Sequence, residues 1–261
     1  MLELYHGTTS VCAQKVRLTL AEKGLEWQSH LLDLNGDHLT PEYLKINPNG
    51  VVPTLVHDGT IIVESTVIIH YLDDLFPGPS LMPRAPLDRT RAHLFKKLMD
   101  EYIHPACIVY TFATANRGRF DGLSPEQRAE QYAKMPLQRQ AEYKRAGVEE
   151  GIGSPAGKEA TKSFMKLLKW IEQSTEKSAW LAGPDYSLAD IAAIPYMMRL
   201  EMLRLARLWD HKPGVAAWWE RAKARPSYDK AFTQWLRPQD WQRYEKMPDP
   251  WPDVSKNLAA V

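Results

Sequence analysis

The chain has 261 residues, 44% hydrophobic and 25% charged, with 33 basic against 32 acidic side chains and a net charge of +1. That length and apolar content suit one large domain or two smaller ones with a sizeable core. The near-neutral balance gives no bulk electrostatic case for nucleic acid or an anionic membrane, and no run has the length of a membrane span, so neither partner is expected. The two cysteines, Cys12 and Cys107, are too far apart for a disulfide framework or metal-ligand spacing, and no metal is expected. Met1–Tyr5 is acidic and strand-like rather than signal-like, so a reducing cytoplasm is the expected compartment.

In chain order, Leu2–Tyr5 reads as a strand. Val11–Glu22, with apolar Val11, Val16, Leu18 and Leu20 and a stop at Gly24, reads as a helix. Trp27–Leu34 reads as a second strand, which makes the opening β-α-β. A short, poorly periodic segment, Pro41–Ile46, precedes Asn49–Leu55. There Pro53 leads into an apolar run, and Asp58-Gly59 turns the chain into Ile61–Val63, a β-hairpin pattern. Pro53 has two readings. It is an ordinary edge-strand proline, or it forms a cis turn, which costs only ~0.5–1 kcal/mol over trans. The second leaves the N–H and C=O of Val52 free to pair with an extended, peptide-like ligand. Ser65–Phe76 has helical spacing. The order β-α-β, short helix, β-β-α suits a four-stranded mixed sheet with helices on both faces.

Pro77-Gly78-Pro79 and Pro83–Pro86 form a connector. The expected division is residues 1–80, a linker over 81–88, and an all-helical domain over 89–261. Asp88–Phe112 reads as one long helix that Pro105 should kink or break. Residues 113–153 are polar and weakly periodic. Glu159–Ser174 and Val215–Ala224 are amphipathic helices. Ser187-Leu188-Ala189-Asp190 opens another, with Ser187 as N-cap, Asp190 reaching back, and Tyr186 and Ile191 as a hydrophobic staple. Its meaning is structural, worth ~1 kcal/mol. The tail from Pro238 is rich in Pro and Trp and is expected to be irregular, packed on the domain, with the stretch around Trp241 roofing a cleft.

With Val52-Pro53, Glu64-Ser65 and Ser187–Asp190 in this order, the chain resembles the glutathione transferase superfamily over roughly residues 1–235. The resemblance implies an α/β thioredoxin-like N-terminal domain plus an all-α C-terminal domain. It also implies glutathione as co-substrate, a hydrophobic small-molecule electrophile as second ligand, and a homodimer. Pro53 matches the family's cis-proline and Val52 the residue whose backbone pairs with the cysteinyl part of glutathione. Glu64 and Ser65 match the pair that holds its γ-glutamyl end. Chemistry agrees: a helix N-terminus at Ser65 offers free N–H groups to a carboxylate, and Glu64 offers an acceptor to an ammonium. His38 lies where related classes carry a polar glutathione contact, and a solvated surface histidine is the competing reading.

A free thiol of pKa ~8.5 is only ~3% ionised at pH 7, and lowering it two units takes ~2.7 kcal/mol. A hydrogen bond to a charged group supplies ~1.5–3 kcal/mol and a helix N-terminus ~0.3–1. A hydroxyl at the start of the first helix therefore suffices, and Thr8, Thr9 and Ser10 stand there. Aligned through Lys15-Val16-Arg17-Leu18, Ser10 falls where serine classes of the family carry their activating residue. Cys12 falls where beta-class members carry a cysteine, which keeps mixed-disulfide chemistry open beside a plain buried thiol. Tyr5 ends the first strand, where some classes use a tyrosine; core packing is its plain reading. Tyr102, Ala106 and Tyr110 share a face of the helix that meets the glutathione sulfur in this family, and are the expected electrophile contacts. Asp100–Tyr102, Met135-Pro136 and Tyr143–Gly147 are similar to the bacterial glutathione-dependent β-etherases, which cleave aryl ethers of lignin-derived compounds.

Overall fold

A computed structural model describes residues 1–260. The N-terminal part runs β1 (Leu2–His6), α1 (Val11–Glu22), β2 (Gln28–Leu31), α2 (Pro41–Ile46), β3 (Thr54–His57), β4 (Thr60–Val63) and α3 (Ser65–Leu75). Strand order is β2-β1-β3-β4. β2 lies parallel to β1, and the two later strands are antiparallel to their neighbours, with Leu4 opposite Leu55 and Leu55 opposite Ile62. The parallel pair needs a crossover, and α1 supplies it. The hairpin turns through Asp58 and Gly59, both at positive φ (48° and 82°), the twist that a two-residue hairpin loop requires. Leu4, Leu55, Val16, Leu20, Ile68 and Leu72 are fully buried between the sheet, α1 and α3.

The rest is helical: α4 (Pro86–Leu98), α5 (His104–Ala113), α6 (Pro125–Ala133), α7 (Gln138–Arg145), α8 (Pro155–Thr175), α9 (Leu188–Met202), α10 (Pro213–Lys223), α11 (Pro226–Ala231), α12 (Pro238–Lys246) and α13 (Trp251–Ala259). A thioredoxin-like domain with a mixed sheet thus precedes a helical one, as the sequence implied. α9 is buried nearly all round and packs on α1, α4, α5 and α10, so it is the axis of the helical part. Its cap is the expected one. Asp190 accepts the N–H and hydroxyl of Ser187, both at 3.0 Å, and also the Leu181 N–H at 3.0 Å and the Trp218 indole at 2.8 Å. One carboxylate therefore ties the start of α9 to a loop and to α10.

Between α3 and α4 the chain is clamped by a buried pair. Lys23 Nζ bonds Asp73 Oδ1 and the Pro79 carbonyl, each at 3.2 Å, while Asp73 accepts the N–H groups of Leu81 (2.9 Å) and Met82 (2.8 Å). Among the described residues, no helix is long and apolar enough to cross a membrane.

Two local expectations change. Pro105 does not break the long helix: a π-helical turn over Met99–Ile103 joins α4 to α5, and Pro105 takes an early position in α5 where its missing N–H costs little. The tail is not irregular but forms α12 and α13. Pro238 and Pro252 sit in the first turns of these helices, as prolines also do in α4, α6, α8, α10 and α11. Proline fits the first helical position, and the many prolines of this chain punctuate helix starts. Residues 113–153, weakly periodic in sequence, contain α6 and α7.

Candidate active site

The site begins with the turn between β1 and α1. Gly7 lets the Leu34 side chain pack closely on it: a Cβ would stand 2.7 Å from that side chain, which would have to shift. Arg17, buried on α1, donates to the carbonyls of Gly7 (3.0 Å), Thr8 (2.9 Å) and Ala231 (2.7 Å) and to His6 Nδ1 at 3.0 Å. Burial, then the Arg17 charge, lowers the His6 pKa to about 3, so the ring is neutral. With Nδ1 accepting, its Nε2–H donates to Ser29 Oγ at 2.8 Å. This buried frame fixes the turn that carries Thr8, Thr9 and Ser10.

The three hydroxyls are not equivalent. Thr9 Oγ1 accepts from Arg243 at 2.6 Å, and Thr8 lies close enough to the Asp240 carboxylate to help lower its pKa. Ser10 caps α1: its Oγ accepts the Ala13 N–H at a long 3.3 Å, and its proton has no acceptor among the described residues. Ser10 opens onto a cavity of about 600 Å³ between the sheet and the helices.

Pro53 follows a cis peptide bond, and Val52, Pro53, Glu64, Ser65 and His38 line the same cavity as Ser10. Among the described residues no hydrogen bond uses the N–H or C=O of Val52, although the residue is buried. Buried backbone groups are nearly always paired, so these two await an extended ligand. Glu64 is exposed and held at φ 68°, unusual for a residue with a side chain. It precedes Ser65 at the start of α3, whose first turn has no side-chain cap, leaving its N–H groups and positive potential for an anion. Glutathione, a peptide with an ammonium and two carboxylates, fits these features. His38 Nδ1 is buried without a partner, and burial followed by the nearby Lys144 and Arg119 lowers its pKa to about 4.

Cys12 sits half-buried in the first turn of α1, its Sγ 3.7 Å from His104 Nδ1 on α5. Burial pushes its thiol up, but the His104 imidazole, Lys15 and a hydrogen bond to Ser65 outweigh it, and the pKa falls to about 7. Lys15 itself is buried against Asp100 at 3.0 Å. Tyr5 is not in the cavity; it stacks on His30 with ring centroids 4.3 Å apart.

The expected electrophile contacts require correction. Tyr102 is 47% exposed and lies under Lys166, while Ala106 and Tyr110 are buried, the latter bonded to Thr161 at 2.6 Å. None lines the cavity. Asp100, His104, Cys107, Ile108, Thr111 and Phe112 do, from the opposite side of the same helical stretch. Ala106 and Tyr110 face the protein interior, where apolar area is best buried, Tyr102 lies at the surface, and the mixed stripe faces the cleft. The tail does roof the cavity, but through Arg237, Asp240, Arg243 and Tyr244 of the α12 region rather than Trp241, which is 40% exposed. The cationic lining, Arg119, Lys144, Arg199, Arg237 and Arg243, was not anticipated. Arg199 left a visible sign, as a lone guanidinium in the apolar run Ile191–Leu200.

Residues 9–75 match the model of the glutathione S-transferase N-terminal domain, and residues 129–226 that of the C-terminal domain. Protein LigF of Sphingobium sp. strain SYK-6 is 31% identical over 242 residues, covering 88% of this chain and 93% of its own. Glutathione S-transferase TCHQD of Arabidopsis thaliana is 26% identical over 260 residues, covering 96% of each. The tetrachloro-p-hydroquinone reductive dehalogenase of Sphingobium chlorophenolicum is 27% identical over 239 residues, covering 88% of this chain and 95% of its own. The crystal structure of the beta-etherase LigF superimposes with a TM-score of 0.79 at 29% identity, over 89% of this chain and 99% of that one. Sequence and architecture agree over both halves of the molecule, and the chain belongs to the glutathione S-transferase family.

Proposed function

We propose that this chain uses glutathione as a nucleophile against an aromatic electrophile, with the Ser10 hydroxyl donating a hydrogen bond to the thiolate sulfur. Val52 and Pro53 hold the cysteinyl backbone, Ser65 and Glu64 the γ-glutamyl end, and His38 the glycyl end. The thiolate sulfur forms a bond to the electrophilic carbon, the bond to the leaving group breaks, and that group departs with the electron pair. The thiol proton goes to solvent. The observation that carries this reading is the unclaimed Ser10 proton, facing the cavity onto which the unpaired Val52 backbone and the uncapped start of α3 also open. Aryl ether cleavage is the favoured subtype, supported by the similarity to LigF.

A second reading has a specific observation behind it. Cys12, with its lowered pKa beside His104, is suited to thiol–disulfide exchange with glutathione. Glutathione-dependent turnover of an activated aryl chloride, an aryl ether and a disulfide, in Ser10→Ala and Cys12→Ala variants, separates the two. Loss confined to Cys12→Ala overturns the serine assignment.

The same reading divides the chain into a glutathione-binding domain over residues 1–80 and a helical one over 89–261, with the linker over 81–88 running into the first residues of α4. It places the chain in the cytoplasm, in keeping with two free cysteines. It also assigns homodimer formation to exposed Val67 on α3 and Leu87 and Leu94 on α4, helices joined by the stacked His70 and His93 rings. Sedimentation of Leu94→Glu against wild type tests that assignment.

A further inference from the structure

The cationic wall of the cavity has more charge than the chain itself answers. Arg199 is 7% exposed, donates only to Thr111 Oγ1 (2.8 Å) and the Thr9 carbonyl, and leaves its Nε without a partner. Arg243 donates to Thr9 Oγ1 at 2.6 Å and Asn116 at 3.2 Å; its Nε is also unpartnered, and the nearest carboxylate, on Asp240, stands 4.0 Å away. That carboxylate bonds Arg237 instead, at 3.1 Å. Arg119, on the exposed rim, has neither an ion pair nor a side-chain hydrogen bond among the described residues, and it feels the charges of Arg243 and Arg199 on one side and of the cavity carboxylate Asp33 on the other. Asp100, the acid on the α5 side, is taken by Lys15. Arg199 is the guanidinium removed from water, Arg243 is half-buried and Arg119 stands at the rim; a buried guanidinium without a counter-charge is costly, and an anionic ligand would supply the charge that is missing here.

Position says which ligand. Arg199 and Arg243 both converge on Thr9, the residue next to Ser10, whereas Ser65 and His38, the expected seats of the two glutathione carboxylates, are on other elements. The Tyr244 ring lies beneath both guanidiniums, with centroid distances of 5.7 and 5.0 Å, and Ile108 and Phe112 supply apolar wall. From this the geometry points to an electrophile that is an aromatic carboxylate: its ring packs against Tyr244, Ile108 and Phe112, and its carboxylate bridges Arg199 and Arg243, with Arg119 at the outer edge. This rests on the proposed glutathione chemistry only in placing the sulfur beside Ser10.

The test is equilibrium binding, which needs no turnover. Calorimetric titration of glutathione-saturated protein with 3-nitrobenzoate and with 3-nitrobenzamide compares a charged and an uncharged ring of the same shape. The acid is expected to bind about tenfold tighter or more, as for one charge-assisted hydrogen-bonded pair. The acid-to-amide ratio should approach one in Arg243→Gln and shrink in Arg119→Gln. Arg199→Gln gives the same loss where it folds, but the two accessible variants suffice. An acid that binds no tighter than the amide, or not at all, overturns the inference. So does a loss of glutathione affinity in Arg243→Gln with the ratio intact, which would give these cations to the glycyl carboxylate. Absence of turnover with every electrophile sinks the proposed reaction instead and leaves the binding ratio readable.

Discussion

Replacing Ser10 by alanine removes one proton donor from the glutathione sulfur, and the size of the effect follows from the turn. Thr9 Oγ1 is fixed in place by the Arg243 guanidinium and Thr8 lies by Asp240, so neither hydroxyl takes over from Ser10 without leaving its partner. A hydrogen bond to a charged acceptor is worth ~1.5–3 kcal/mol, or roughly one to two pKa units. What remains is the N-terminal field of α1, worth ~0.3–1 kcal/mol. A bound thiol of pKa ~6.5 would rise to ~8–8.5, and the thiolate fraction at pH 7 would fall from about three-quarters to below about a tenth. The sign is that of an acid: thiolate exists above the pKa, so kcat/KM should fall about tenfold or more at pH 7 and recover most of the loss by about pH 9. Thiolate absorbance of bound glutathione, titrated in wild type and variant, measures the shift directly. Loss of the helix cap costs ~1 kcal/mol of stability, visible as a small drop in Tm. An unchanged thiolate pKa in Ser10→Ala, or a defect as deep at pH 9 as at pH 7, would refute the reasoning.

Three further outcomes are expected. Alkylation of Cys12 by iodoacetamide should reach half its limiting rate near pH 7, as thiolate appears above the lowered pKa; in His104→Ala, burial is left to dominate and the midpoint should move upward, whereas an unmoved midpoint removes His104 from the account. Asp73→Ala leaves Lys23 buried and unpaired and frees Leu81 and Met82; the expected loss is ~3–5 kcal/mol in denaturant unfolding, with new proteolysis in residues 77–86. Asp190→Ala abandons four buried donors at ~1–3 kcal/mol each before relaxation, so the variant should unfold at much lower denaturant or fail to accumulate, and stability near wild type would contradict the cap's central place.

What was legible in the sequence was what is locally encoded. The hairpin around Asp58-Gly59, α1 with Ser10 at its cap, and Ser187–Asp190 each satisfy their own backbone within a few residues, and their bounds came out nearly as read. The stripe of Tyr102, Ala106 and Tyr110 was read as a face, but spacing says which residues share a face and not what that face meets. The opposite stripe meets the cavity because α8 and the core claim the aromatic one. The cationic wall was harder still. Arg119, Arg199 and Arg243 come together from a loop, α9 and α12, across more than a hundred residues of sequence, and no local pattern links them. The tail departs from the expected irregular run for a simpler reason: its prolines start helices.

The hydrogen bond from Arg243 to Thr9 spans 234 positions. Chains are made from the N-terminus at about 5–20 residues per second, and early domains fold as they emerge. The turn carrying Ser10 can therefore take shape while most of the helical part is still unmade, but its outer wall closes only after α12 leaves the ribosome. A partly synthesised chain can offer a glutathione surface without the pocket that selects what the sulfur meets. On the proposed reading, the wall that meets the electrophile is the last part of the site to be assembled during synthesis.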